Sequence, residues 1–304
     1  MKILIAGSHG MIGAAVTSYL IERGHEVTRL AHGKPQDGEL HWDPDAGMLD
    51  AAALEGFDAV INLATMPWPF RWTARSKKAM QANKLATNGL LARALAACSR
   101  KPRVLICASG VGTYPSSGDD VLTEDCPQGS GFIARLDQIG EAATAPAEAA
   151  GIRVVHLRLP MVLGGARLQQ VGFQTGDGQQ WTSWIALQEV AAVVEFALRT
   201  ESLSGPVNAV SPNAMRNGEF ARACSAALGQ KPGGTMPVLI VRLVMGEFGE
   251  EMFLASRRVA PGRLLESGYR FQYADLAEAL RHEQAVVEAD KARTQAAPAH
   301  PKGG

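Results

Sequence analysis

The chain has 304 residues, 46% of them hydrophobic, and a formal net charge of zero with histidine neutral. That length supports a substantial core in one large domain or two smaller ones, and the charge balance argues against a nucleic-acid or acidic-membrane partner. The four cysteines (Cys98, Cys107, Cys126, Cys224) form no CxxC pair and have no histidine cluster beside them, so no metal site is expected. Cys107 sits in an apolar run and reads as core. The first strand begins at residue 2, with no signal peptide ahead of it, and no apolar run is long enough for a bilayer. The expectation is a cytoplasmic protein with no membrane partner.

In chain order, the first element is an apolar strand over 2–6, followed by Gly7-Ser8-His9-Gly10-Met11-Ile12-Gly13 and a helix over 11–23. Further strands are predicted at 26–30, 58–63, 103–107 and 152–157, and further helices at 73–98 and 132–150. Strands apolar on both faces and separated by helices specify an α/β fold, a doubly wound parallel sheet with helices on both sides. Its ligand belongs at the carboxyl ends of the strands. Past residue 160 the rhythm loosens. Residues 164–183, rich in Gly and Gln, read as a loop that could cover a site; 187–199 is a helix, 206–210 a short strand, and Asn217 can cap a helix to about Leu228. The domain boundaries that follow are 1–160 for the dinucleotide-binding core, completed by later strands from 185–210, then 161–235 for the substrate-side lid. A small helical C-terminal domain occupies 236–282. The Ala-, Pro- and charge-rich stretch 283–304 reads as a disordered tail.

The glycine spacing carries the chemistry. Gly7 permits a tight turn, Gly10 lets the backbone approach a pyrophosphate, and Gly13 lets the helix pack close to the strand. The phosphates would sit on free N–H groups at the helix start, among Ser8, His9, Met11 and Ile12. A strand before, a helix after and a second strand at Glu26–Leu30 supply the context this motif requires. At the end of that second strand an acid would accept the ribose 2′-OH of NAD, whereas a cation would pair with the 2′-phosphate of NADP. Arg29, His32 and Lys34 stand there, with no acid between Val27 and Gln36, which favours NADP with NAD as the alternative. Leu63, Ala64 and Thr65 follow the third strand and would lie beside the adenosine half. Asn83 and Thr87, one turn apart on a long helix, either serve that site or bond to neighbouring backbone.

Ser109 closes the fourth strand, and Tyr114 follows it. Either could hydrogen-bond a substrate carbonyl; equally, Ser109 could cap a turn and Tyr114 pack at the rim. Arg71 and Trp72, beside Trp68 and Phe70, and Trp181 in a second aromatic loop suit a pocket for an anion or a flat ligand. Packing between domains is the competing role, and the favoured one for Trp184.

These residues resemble the extended short-chain dehydrogenase/reductase superfamily, of the NAD(P)-dependent epimerase/dehydratase-like kind. The glycine turn, Asp58-Ala-Val-Ile-Asn-Leu-Ala64, Ser109 with Tyr114, and Leu157-Arg158-Leu-Pro-Met-Val-Leu-Gly164 carry the resemblance. More narrowly the chain is similar to a branch called "epimerase family protein", which has a small C-terminal domain of unknown function. The narrower motifs are Arg71-Trp-Thr73, Leu122-Thr-Glu-Asp125, Gly178-Gln-Gln-Trp-Thr-Ser-Trp-Ile185, Gly205-Pro-Val-Asn-Ala-Val210 and Leu264-Leu-Glu-Ser-Gly-Tyr-Arg-Phe271. The resemblance covers about residues 1–282. It implies a Rossmann-type fold, bound NADP, and Arg71, Trp72, Arg158 and Trp181 facing a substrate. A homodimer is compatible with it.

The departures are informative. The superfamily moves a proton with a Tyr-x-x-x-Lys pair, the lysine lowering the tyrosine pKa. Four places beyond Tyr19, Tyr114, Tyr269 and Tyr273 stand Arg23, Gly118, Tyr273 and Ala277, so the chain has no such pair. The helix where it should start reads Phe132-Ile-Ala-Arg-Leu-Asp137. His32 replaces an arginine usual in the branch, and a histidine carries only part of a charge at neutral pH. Two functions follow. One is an NADP-dependent oxidoreductase or epimerase-like enzyme for a small carbonyl or sugar-like substrate, with Ser109 polarising its oxygen and Tyr114 or a water supplying the proton. The other is a non-catalytic NADP-binding sensor.

Overall fold

A computed structural model describes residues 1–165, 168, 172–231 and 233–296. The first half alternates strand and helix: β1 (Lys2–Ala6), α1 (Met11–Glu22), β2 (Glu26–His32), β3 (Glu39–Asp43), β4 (Met48–Leu49), β5 (Ala59–Asn62), α2 (Ala74–Ala97) and β6 (Val104–Gly110). After the two-residue β7 (Val121–Leu122) come α3 (Phe132–Ala142), α4 (Ala145–Ala149) and β8 (Arg153–Leu159). Short strands β9 (Met161–Leu163), β10 (Gln174–Thr175), β11 (Trp181–Thr182) and β12 (Trp184–Ala186) lead to α5 (Leu187–Arg199) and β13 (Gly205–Asn208). The remainder is β14 (Met215–Arg216), α6 (Asn217–Ala227), β15 (Thr235–Met236), α7 (Val238–Met245), α8 (Glu247–Gly249), β16 (Arg258–Val259), α9 (Gly262–Glu266) and α10 (Leu276–Ala296). No helix among the described residues is long and apolar enough to cross a membrane.

The main sheet has eight strands in the order β13-β8-β6-β5-β1-β2-β3-β4, parallel throughout except for the β3–β4 pair. Residue alternation explains its two buried faces. Ile3, Ile5, Ile61 and Ile106 pack with Val16 and Leu20 of α1 and Val190, Val193 and Val194 of α5. Their neighbours Leu4, Ala6, Val60, Leu105 and Cys107 face the other way, onto Leu91 and Leu95 of α2 and Ala147 of α4. Cys107 is therefore core, and burial pushes its thiol up to about 12. The strand order reverses between β1 and β5. That is the topological switch point, where α/β sheets bind ligands.

Four expectations need correction. The helix over 132–150 is two helices, because Pro146 has no N–H to return to Ala142 and α4 starts afresh at Ala145. Asn217 does not cap α6; its Oδ1 accepts from Thr175 N at 2.8 Å and lies near Thr175 Oγ1. The loop over 164–183 contains β10 and β11, although 166–167 and 169–171 lie outside the described residues. The tail from 283 is helical to Ala296, since Leu276, Ala279 and Leu280 bury one face of α10 against Phe220 and Cys224 of α6; residues 297–304 lie outside the described residues.

Candidate active site

At the switch point the glycines of the first turn have distinct structural reasons. Gly7 adopts φ +79°, and a Cβ there would lie 2.6 Å from Ala64 N and from the Leu63 carbonyl carbon. A Cβ on Gly13 would lie 2.0 Å from the Gly7 carbonyl oxygen. These two positions thus lock β1, α1 and the turn after β5 together. Gly10 differs: an added Cβ would meet only Gly7 O, at 3.5 Å. Packing does not demand glycine there, whereas close approach of a ligand would. Gly10 is also the N-cap of α1, has no side-chain cap and has no acid in the turn that follows. The amides of Met11, Ile12 and Gly13 are left without intrahelical acceptors at the positive end of a helix dipole. This cradle fits a pyrophosphate.

The surrounding residues close on it. Leu63 N donates to Ala6 O, Ala64 N donates to Asn62 Oδ1, and Asn83 Oδ1 accepts from Met66 N at 3.2 Å. Asn83 therefore holds the turn containing Thr65, which is exposed, onto α2. Thr87 bonds back to the Asn83 carbonyl, a backbone role. Ser8 is buried, with its Oγ 3.5 Å from His9 Nδ1. His9 Nε2 lies 3.3 Å from Glu39 Oε1, while Glu39 Oε2 accepts from Gln36 N. Glu39 went unnoticed in the sequence because it comes from β3, beyond the stretch after β2. Its oxygens are already engaged. His32 ends β2 with an exposed ring, its Nε2 3.5 Å from Asp43 Oδ1.

At the end of β6 the structure assembles a second constellation. Ser109 Oγ donates to Glu141 Oε1 at 2.7 Å. Arg158, from β8, grips the same carboxylate through Nε (2.9 Å) and Nη2 (2.8 Å), and its Nη1 donates to the Tyr114 hydroxyl at 2.8 Å. Tyr114 in turn donates to Asn208 Oδ1 at 2.8 Å. Burial alone would raise the Glu141 carboxyl, yet the hydrogen bonds and charge of Arg158 hold it below the ordinary carboxylate range. Tyr114 is 0% exposed, and burial raises its hydroxyl pKa. Two expectations change here. Tyr114 sits inside this network instead of facing a substrate, and Arg158, 2% exposed, is bound to Glu141 and Tyr114 instead of facing a substrate.

Beside this network stands Asp137 on α3. Its Oδ2 is buried with no partner among the described residues, 3.0 Å from where a Cβ on Gly110 would lie. Burial pushes its carboxyl up to about 7, opposed by the charge of Lys84. Lys84, itself buried, donates to Ala108 O at 3.2 Å. Neither group shows a motif in the sequence; only the packing of α2 and α3 on β6 brings them together. Phe132, at the start of α3, is buried under Trp72, with ring centroids 4.9 Å apart. Leu136, four residues on, is 0% exposed.

The remaining substrate-side expectations fare unequally. Arg71 is exposed in the loop before α2. Trp72 is a plug between α2, α3 and Phe248 of the C-terminal region, and its Nε1 has no partner among the described residues. Trp181 donates to Asp119 at 2.8 Å and has the guanidiniums of Arg216 and Arg258 over its ring, 4.3 and 4.4 Å from the centroid, which fixes it as a loop clasp. Trp184 is fully buried against α6 and α10, as the packing alternative required. A cavity of about 400 Å³ lies where the Gly112–Ser116 loop and the start of α3 meet the C-terminal region, lined among others by Gly112, Tyr114, Gly131, Ala134, Arg242 and Arg257.

Comparison with known proteins places this geometry. Residues 3–209 match the model of the NAD dependent epimerase/dehydratase family, and 236–283 match a domain of unknown function, DUF1731. The chain is 35% identical over 292 residues to the epimerase family protein ML0860 of Mycobacterium leprae, covering 92% of this chain and 94% of that protein. It is 32% identical to the human epimerase family protein SDR39U1 over 294 residues, 92% of this chain and 99% of the relative. The crystal structure of that human protein (isoform 2) with NADPH superposes with a TM-score of 0.84 at 30% identity, covering 94% of this chain and 99% of the other. A nucleoside-diphosphate sugar epimerase from Corynebacterium glutamicum gives a TM-score of 0.79, also at 30% identity, covering 99% of this chain and 63% of the other.

Proposed function

The chain belongs to the NAD dependent epimerase/dehydratase family, and from that premise we propose that it binds NADP(H) and acts as an oxidoreductase or epimerase-like enzyme on a small carbonyl or sugar-like compound. The observation that carries this is the uncapped start of α1, with its side-chain-free Gly10, set against Leu63 and Ala64 at the switch point. NADP is favoured over NAD by the NADPH in the human relative's structure, and by the engagement of Glu39 with His9 and Gln36. His32 ends β2, with Lys34 two residues after it and Arg29 three residues before it, and these are the side chains that would meet a 2′-phosphate. When bound, the nicotinamide supplies or accepts the hydride.

The protein's own part is proton management. Ser109 sits where it would meet a substrate oxygen; its single proton is given to Glu141, which Arg158 keeps ionised, so polarising that oxygen requires the hydroxyl to turn from Glu141 to the substrate. The proton falls to Asp137, whose carboxyl changes charge near neutrality and has one free oxygen beside Gly110. Phe132 cannot move a proton, and the Tyr114 hydroxyl is already engaged by Arg158 and Asn208. That same loss favours a second reading, a non-catalytic NADP-binding sensor. Calorimetric titration with NADPH and NADH tests the shared premise: NADPH should bind more tightly, and failure of both to bind refutes both readings. Oxidation of NADPH by a member of a broad carbonyl panel, abolished by Ser109→Ala, favours the enzyme. Inertness of the whole panel with tight NADPH binding favours the sensor.

A further inference from the structure

The cavity of about 400 Å³ contains an unpaired cation. Its charged lining consists of Arg242, Glu250, Glu251 and Arg257. Arg242 and Glu250 neutralise one another at 2.9 Å. Glu251 has both oxygens committed to the start of α3, accepting from Phe132 N at 2.7 Å and Ile133 N at 2.9 Å. Arg257 is held by two neutral carbonyls: its Nε donates to Tyr114 O at 2.8 Å and its Nη1 to Glu251 O at 2.7 Å. Its Nη2 has no protein acceptor, and the guanidinium makes no ion pair, among the described residues. The guanidinium is thus fixed in place with one nitrogen unsatisfied. A partly buried guanidinium is costly without a counter-charge.

We propose that this cavity binds a small carboxylate through an ion pair with Arg257. The position of the guanidinium is set by Tyr114 and Glu251, so little side-chain freedom remains to be lost on binding. One free nitrogen suits one anionic oxygen, and the acids nearby (Glu250, Glu251, and Asp137 behind Gly112) disfavour a dianionic phosphate. Ser116 and Ser130 line the same cavity and offer hydroxyls to a polar ligand. Its size falls within the range of small-molecule sites. Identification of that carboxylate as part of the substrate rests on the functional reading above; its binding does not.

Calorimetry on the full chain saturated with NADPH distinguishes the possibilities, using acetate, 3-hydroxybutyrate and benzoate, each against its neutral amide. At least one acid should bind roughly tenfold or more tightly than its amide, as expected for a charge-assisted hydrogen bond. Arg257→Met should abolish that preference while leaving NADPH affinity unchanged, and Arg257→Lys should retain part of it. Equal binding of all three acids and their amides, or an unaltered preference in a folded Arg257→Met protein, would overturn the proposal. Should NADPH fail to bind, the same comparison on the free chain still tests the cavity, and the two failures remain separate.

Discussion

Two residues test the site most directly. In Gly13→Ala the new methyl group would have to displace the Gly7 carbonyl oxygen, 2.0 Å away, and backbone has little room to yield. Overpacking of this kind costs about 1–3 kcal/mol. Denaturant unfolding should show that loss, and NADPH titration should show weakened binding, because the displaced carbonyl belongs to the cradle. Asp137 tests the second constellation. Its carboxyl is raised from 3.8 to about 7 in the folded protein, so the folded state holds the proton more firmly than the unfolded chain. The stability linked to it is fully present below pH 4 and is lost as pH rises through about 7. Asp137→Asn should therefore stabilise the protein at pH 8, by on the order of 4 kcal/mol, and leave it little changed at pH 4. Stability curves that run parallel across that range would contradict the assignment. At this scale the sequence was partly legible. The glycines announce themselves through spacing, but nothing local says whether Tyr114 or Arg158 points outward. Their direction is decided by Asn208, 94 positions from Tyr114, and by Glu141 on a different element.

Elements show a similar division. Strands β1, β5, β6 and β8 were readable because they are buried on both faces and hence carry apolar runs, Ile3–Ala6, Ala59–Ile61, Val104–Ala108 and Val154–Val155. Strand β3, reading Glu-Leu-His-Trp-Asp, escapes that test because it lies near the sheet edge with only Trp42 fully inside. Helix α10 carries an apolar stripe at Leu276, Ala279 and Leu280, diluted by the charges around it. The capping of α3 is also invisible locally. Gly131 precedes the helix without a side-chain cap, and the acceptor for its first amides is Glu251, 119 residues away from Phe132. A carboxylate at this end also meets the positive pole of the helix. Glu251→Ala should cost about 1–2 kcal/mol, and Glu251→Gln less, since one acceptor oxygen survives. Hydrogen exchange should locate the loss at Phe132 and Ile133. Faster exchange confined to residues 247–254 would contradict a capping role.

Across the whole molecule, Glu251 is one of several ties that join the C-terminal region to the sheet. Arg257 reaches the Tyr114 carbonyl, and Arg263 reaches the carbonyls of Ser204 and Pro206 beside β13. Glu189 of α5 accepts from the Tyr269 hydroxyl and from the amides of Gln272 and Tyr273. Leu264 and Tyr269 belong to the same apolar cluster as Ile3 and Ile5. A region that contributes to the sheet's own core cannot leave without exposing that core. Thermal unfolding should accordingly be a single transition in which the sheet and residues 237–283 melt together. NADPH at about one hundred times its dissociation constant should raise the stability of that transition by about 2.7 kcal/mol. Protection against hydrogen exchange should then increase in α9 as well as in α1, although α9 makes no part of the nucleotide cradle. The inference is thermodynamic: a ligand that stabilises the native state suppresses global opening equally for every amide that exchanges only through it. If NADPH protected α1 and left α9 unaffected, the C-terminal region would open independently, and its ties to the sheet would be weaker than their number implies.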